Sequence, residues 1–186
     1  VLQMVSTPDV AENLGCAQKI VAQAAAQGAE LLVLPEYFCG MGFKDTDKLS
    51  WAEALGAGPI QDALAGWAMK YAVWLVGGTV PIHTQSPSLV RNTCMLFSPQ
   101  GVRTAYYDKI HLFRFANDKE NYDESLVIEP GQLPVTAQVI DRSGHVWTLG
   151  FSVCYDLRFP ELYRHLAAQG VDILLAPAAF THTTGK

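Results

Sequence analysis

Two periods run through the apolar positions of this chain. Val10, Leu14, Ala17, Val21 and Ala24 recur at the three- and four-residue intervals of one helix face. Asp9 with Glu12 has the form of a capping box at the start of that helix, and Gly28 supplies its stop. Ahead of Thr7-Pro8-Asp9, residues 1–6 predict a buried strand. Leu31 to Leu34 predicts a second strand. Pro59 opens a helix on which Ile60, Leu64, Trp67 and Tyr71 share a face, and Val73 to Val80 predicts a further strand.

The pattern then changes. The stretch LVRNTCMLFSPQGVRTAYYDKIHLF holds two strand-like runs joined by Ser98-Pro99-Gln100-Gly101, a hairpin signal. Residues 114–125 are polar and predict a loop. Asp141-Arg142-Ser143-Gly144 predicts a second hairpin between TAQVI and VWTLGFSV. A helix near 160–169, stopped by Gly170, and a strand from Asp172 to Ala176 follow. Strand–helix–strand units first, hairpins in the middle and a strand–helix unit last imply an α/β protein with a mixed sheet.

Length and composition fit one domain. The chain has 186 residues, 49% of them hydrophobic and 17% charged, enough for a sizeable core. A net charge of −5 with no basic run argues against nucleic acid or an anionic membrane as partner. The longest apolar runs, LLVLP and ILLAPAAF, fall well short of the roughly 20 residues of a membrane helix. No signal peptide is visible, and the first residue, Val1, suggests that the numbering begins inside a longer protein. Cys16, Cys39, Cys94 and Cys154 have no metal-type pairing, and the five histidines have no metal-binding spacing. Reduced thiols in a cytoplasmic protein are the default reading. No GxGxxG, Walker or zinc spacing is present, so no cofactor and no metal is expected.

Three strand ends carry chemistry, where α/β sheets build their sites. In LLVLPEYF, Glu36 follows a buried strand and a proline. It is either a loop glutamate facing water or a poorly solvated carboxylate with a raised pKa, suited to a general base. In YYDKIHLF, Lys109 is either an edge-strand lysine guarding against aggregation or a fixed ammonium that stabilises an oxyanion. In GFSVCYDLRFPELYR, Cys154 ends an apolar strand at a bend, with Pro160 opening a helix beyond. The bland reading is a buried core cysteine, as for Cys16 and Cys94. The other is a nucleophile elbow carrying cysteine, whose following backbone N–H groups are available to an oxyanion and whose pKa nearby positive charge lowers.

Taken in order, Glu36 after a strand and proline, Lys109 in YDKIHLF and Cys154 in CYDLRFPE resemble the nitrilase, or carbon–nitrogen hydrolase, superfamily, over the whole chain. The resemblance implies a Glu-Lys-Cys triad on Glu36, Lys109 and Cys154, with a second, positioning glutamate at Glu124 and a structural asparagine at Asn92. It implies a four-layer α-β-β-α sandwich, usually paired into a homodimer or higher homo-oligomer. It implies hydrolysis of a small-molecule amide through a cysteine thioester, with the oxyanion held by Lys109 and the Tyr155 backbone N–H. The form CYDLRFPE, with AFTHTTG downstream, is most similar to the branch holding omega-amidase and deaminated-glutathione amidase, whose substrates are small carboxylate-bearing amides. Arg158 then either grips the substrate carboxylate or pairs structurally with Asp156 or Glu161. An N-carbamoyl or nitrile substrate, a non-catalytic binding protein on the same scaffold, and a thiol protease with a histidine base remain as alternatives. Similar proteins continue past the strand that follows the cysteine helix, so residues 1–186 are expected to be one carbon–nitrogen hydrolase domain lacking its C-terminal part.

Overall fold

The computed structural model describes residues 1–116 and 121–180. Helix α1 spans Val10–Ala26, and the Asp9 side chain caps it by accepting the Glu12 N–H at 3.0 Å. The Glu12 carboxylate turns instead to the Thr7 hydroxyl at 2.9 Å, so one half of the expected capping box forms. Strand β1 (Leu31–Val33) leads to Pro35 and Glu36, and helix α2 (Pro59–Tyr71) buries Ile60, Leu64 and Trp67 on the expected face.

Residues 1–6 are not a strand. Only the Leu2 N–H reaches β1, bonding the Val33 carbonyl at 2.9 Å, while Val1 and Val5 stand exposed. The strand expected over Val73 to Val80 is broken into β2 (Trp74–Val76) and β3 (Val80–His83). The break is Gly77-Gly78. Gly78 has φ +53°, and a Cβ there would run into the Pro35 carbonyl oxygen, so the chain must jog beside the segment that carries Glu36.

β2 and β3 both pair with the eight-residue β4 (Val90–Phe97), whose other edge pairs with β5 (Arg103–Asp108), and β1 lies parallel to β2. The Ser98–Gly101 turn joins β4 to β5 as its composition predicts. Of residues 114–125, expected to be a loop, 117–120 lie outside the described residues and the others form regular structure. β6 (Arg114–Ala116) and β7 (Asn121–Asp123) form a small hairpin, with Phe115 opposite Tyr122 and Arg114 paired to Asp123, and a single 3-10 turn (Glu124–Leu126) follows. A second sheet holds β8 (Thr136–Ile140), β9 (Val146–Phe151) and β10 (Ile173–Leu175), with helix α3 (Pro160–Ala168) between the last two strands.

Alternation along the strands assigns the layers. Leu32, Leu75, Met95 and Phe97 face α1 and α2. Val76, Cys94, Leu96 and Tyr107 face the other way and meet Leu149, Phe151 and Leu175 of the second sheet. Gly150 points to the far side, where Leu166 of α3 lies against it. The layers are therefore helix, sheet, sheet, helix. Glu36, Lys109 and Cys154 all leave the ends of strands at one rim of this stack. Among the described residues, no helix is long and apolar enough to cross a membrane.

Candidate active site

Lys109 sits just past β5, and its side chain is only 1% exposed. Its Nζ donates to Glu36 Oε1 at 2.9 Å and lies 3.0 and 2.8 Å from the two oxygens of Glu124. The edge-strand reading is thereby removed, since this lysine is buried between carboxylates. Burial alone lowers its pKa, but Glu36 and then Glu124 outweigh that and hold it above the ordinary lysine value. An ammonium has three protons, so one remains for a further acceptor.

Glu36 is also buried. Its Oε1 takes a second hydrogen bond from Asn92 Nδ2 at 2.9 Å, and its Oε2 accepts the Ala179 N–H at 3.1 Å. Burial raises its pKa, against the lowering effect of Lys109, which is the direction a base needs. Glu124 is positioned from both ends. Oε1 accepts from the Tyr37 hydroxyl at 2.7 Å, and Oε2 from the Phe113 N–H at 2.7 Å.

Cys154 follows β9 with φ +46°, a conformation that non-glycine residues rarely adopt. It opens a 3-10 turn, Cys154–Arg158, that runs into α3. The strained corner places the thiol on the same cavity as Glu36, close enough for the two groups to act on each other's pKa. The Cys154 N–H is taken by the Pro177 carbonyl, the Val153 N–H by Asp156 and the Asp156 N–H by Val153. Tyr155 N–H is left without an acceptor among the described residues. The expected lowering of the thiol pKa does not occur. Burial pushes it up to about 12, Glu36 adds to that, and Lys109 only partly opposes them. Burial and Glu36 both favour the neutral thiol at rest.

These groups border a cavity of about 910 Å³. Glu36, Tyr37, Glu124, Cys154, Tyr155 and Arg158 line it, and Lys109 lies behind its wall. Neither structural pairing considered for Arg158 is made. Asp156 is engaged with Tyr107 and His111, and Glu161 with Arg164. Arg158 is exposed at the cavity and has no ion pair among the described residues. No described histidine lines the cavity, and the His111 ring is held by Asp156 at 2.6 Å, which removes the support for a histidine-based protease. His182 lies outside the described residues. The sequence reading missed Tyr37, although it adjoins Glu36. Its own φ of +54° marks a second strained position at the site, a backbone property with no signature in a tyrosine.

A carboxylate beside a thiol, with a lysine fixed next to the carboxylate, suits acyl transfer. The family model for carbon–nitrogen hydrolases matches residues 1–186, and the chain belongs to that family. A deaminated glutathione amidase from Synechocystis is 41% identical over 187 residues, which span 100% of this chain and 67% of the relative. Omega-amidase NIT2 of Danio rerio is 36% identical over 94% of this chain and 60% of its own length. Yeast Nit3, a member of branch 10 of the nitrilase superfamily, superposes with a TM-score of 0.79 at 27% identity, over 97% of this chain and 63% of that one. The chain thus spans about two thirds of the length of these proteins.

Proposed function

We propose that the protein hydrolyses the C–N bond of a small carboxylate-bearing amide, giving the acid and ammonia, with Cys154 as nucleophile, Glu36 as base and Lys109 as oxyanion donor. The observation that carries this is the buried Glu36–Lys109–Glu124 array beside a cysteine on a left-handed corner. Glu36 Oε2 takes the thiol proton as sulfur bonds to the carbonyl carbon. The carbonyl electron pair moves to oxygen, held by the third Lys109 proton and the Tyr155 N–H. The oxyanion collapses, the C–N bond breaks, and Glu36 returns its proton to the departing ammonia. Water then gives a proton to Glu36 while its oxygen attacks the thioester. Release of the acid restores the thiol proton from Glu36. Glu124 acts as a positioning residue through Lys109.

Substrate choice rests on Arg158, an exposed guanidinium on the cavity wall suited to a carboxylate. The relatives named above are amidases for deaminated glutathione and omega-amides, which fits that chemistry. We read residues 1–186 as one hydrolase domain of a cytoplasmic homo-oligomer. Four free thiols support a reducing compartment, and light scattering on the purified protein tests the assembly.

The primary test is ammonia release from α-ketoglutaramate, deaminated glutathione, an N-carbamoyl amino acid and a simple nitrile, with Cys154→Ala as control. Release from either of the first two, lost in the variant, is the expected result. Release only from the carbamoyl compound or the nitrile overturns the substrate class, and turnover by Cys154→Ala overturns the mechanism.

A further inference from the structure

Lys109 and Cys154 arrive at the site from different sheets, so something must set the distance between them. The Asp156 carboxylate joins the two segments. It is fully buried and lies two residues past Cys154. Its Oδ2 accepts the Val153 N–H at 2.8 Å, closing the corner on which Cys154 is held. The same oxygen accepts the Tyr107 hydroxyl at 2.8 Å, and Oδ1 meets the His111 N–H at 3.0 Å and its Nδ1 at 2.6 Å. Tyr107 and His111 stand two residues on either side of Lys109. Both are themselves constrained, Tyr107 by burial in the inter-sheet core and His111 by its ring stacking flat on Phe159 at 3.7 Å.

We propose that Asp156 is a positioning residue for the reaction. It clamps the segment carrying Lys109 to the corner carrying Cys154 and so fixes the ammonium against the sulfur. This rests on the catalytic reading of Glu36, Lys109 and Cys154 given above. A buried carboxylate is costly to desolvate, and an apolar side chain would fill the same space, so packing alone does not account for it. A fully satisfied buried network selects one arrangement of the segments it joins. Here those segments are the two whose relative placement the chemistry needs.

The test compares Asp156→Asn, Tyr107→Phe and the double variant of the protein with the wild type, reading kcat and KM on the amide, the fraction of Cys154 titrated by iodoacetamide, and Tm. Expressed per titratable Cys154 thiol, kcat falls about 100-fold in Asp156→Asn and about 10-fold in Tyr107→Phe, with KM within about twofold, the size of loss that follows a misplacement near 1 Å. The double variant is no worse than Asp156→Asn, because the phenol acts through the carboxylate. A lower Tm and titratable fraction with kcat per thiol unchanged is the mark of a structural role and overturns the proposal. Should Asp156→Asn fail to fold, Tyr107→Phe decides by the same measure. Turnover by Cys154→Ala overturns the catalytic reading and the proposal with it. An inactive Cys154→Ala beside an unimpaired Asp156→Asn overturns the clamp alone.

Discussion

Lys109→Met removes an ammonium and little volume, leaving Glu36 and Glu124 buried with no cation between them. Nζ lies 2.9 Å from Glu36 Oε1 and 2.8 Å from Glu124 Oε2, and the lysine side chain is 1% exposed, so solvent does not replace it. An exposed pair would be worth up to about 1 kcal/mol, whereas breaking a buried one costs about 3–5 kcal/mol. For a chain of this size about 3 °C of Tm accompanies each kcal/mol, so the variant should melt about 9–15 °C lower near neutral pH. The deficit depends on pH, with a definite sign. Burial already raises the Glu36 pKa against the pull of Lys109, and without Lys109 it rises further. Between the ordinary glutamate value and that raised value, the folded variant binds more protons than the unfolded chain. Its stability therefore increases as pH falls through that window. Thermal scans from about pH 8 to about pH 4 should show the gap from wild type narrowing, with amide turnover at least about 100-fold down throughout. A gap that stays constant with pH, or a Tm unchanged at neutral pH, refutes the reasoning.

Glu36→Gln should abolish hydrolysis while making the Cys154 thiol more acidic, because the Glu36 charge raises its pKa and Lys109 lowers it. Thiolate absorbance titration reads the downward shift, and an unchanged or higher midpoint contradicts it. Arg158→Leu should raise KM for a carboxylate-bearing amide by about 10-fold or more with kcat little altered, and should leave a neutral amide unaffected. Equal losses on both substrates would remove Arg158 from substrate recognition. Gly78→Ala places a side chain at φ +53° and against the Pro35 carbonyl oxygen. It should cost about 2 kcal/mol or more in chemical denaturation, and a neutral effect would mean that the segment before Glu36 moves freely.

How much was legible in the sequence follows from how local each cause was. Helices α1 and α2 could be read because their stop and start signals sit on the chain, as did the turns at Ser98–Gly101 and Asp141–Gly144. Residues 1–6 looked like a strand because apolar composition does not say how many ladder partners exist, and β1 offers one. The β6–β7 hairpin was hidden because its pairing of Phe115 with Tyr122 spans polar residues. At the site, Glu36, Lys109, Glu124 and Cys154 could be named in advance, and the structure brings them together. The direction of the Glu36 shift follows from its strand-end position. That of Cys154 does not, since it depends on whether burial and Glu36 outweigh Lys109, a balance only three-dimensional placement decides. Tyr37 and the bridging contacts of Asp156 lay beyond reach for a similar reason, because each acts through partners remote in sequence, whereas Asn92 was named only through the family resemblance.

The electrostatic state of the resting site constrains how the reaction starts. Two carboxylates and one ammonium give the buried array a net charge of −1, and a thiolate beside it would make −2 in a poorly solvated place. The thiol stays neutral for that reason, with its pKa near 12. In the proposed mechanism a preformed sulfur anion of the kind that positive neighbours stabilise elsewhere is therefore disfavoured as the attacking species. The proposed reaction then couples proton transfer to Glu36 with attack on the carbonyl, so that negative charge passes from Glu36 to the substrate oxygen without resting on sulfur. That path needs a carboxylate whose remaining oxygen is committed elsewhere. Asn92 and Lys109 both bind Oε1, which leaves Oε2, bonded to the Ala179 N–H, to take the proton in the proposed reaction. It also needs a cation already in place where the charge ends, and Lys109 has one proton unspent by Glu36 and Glu124.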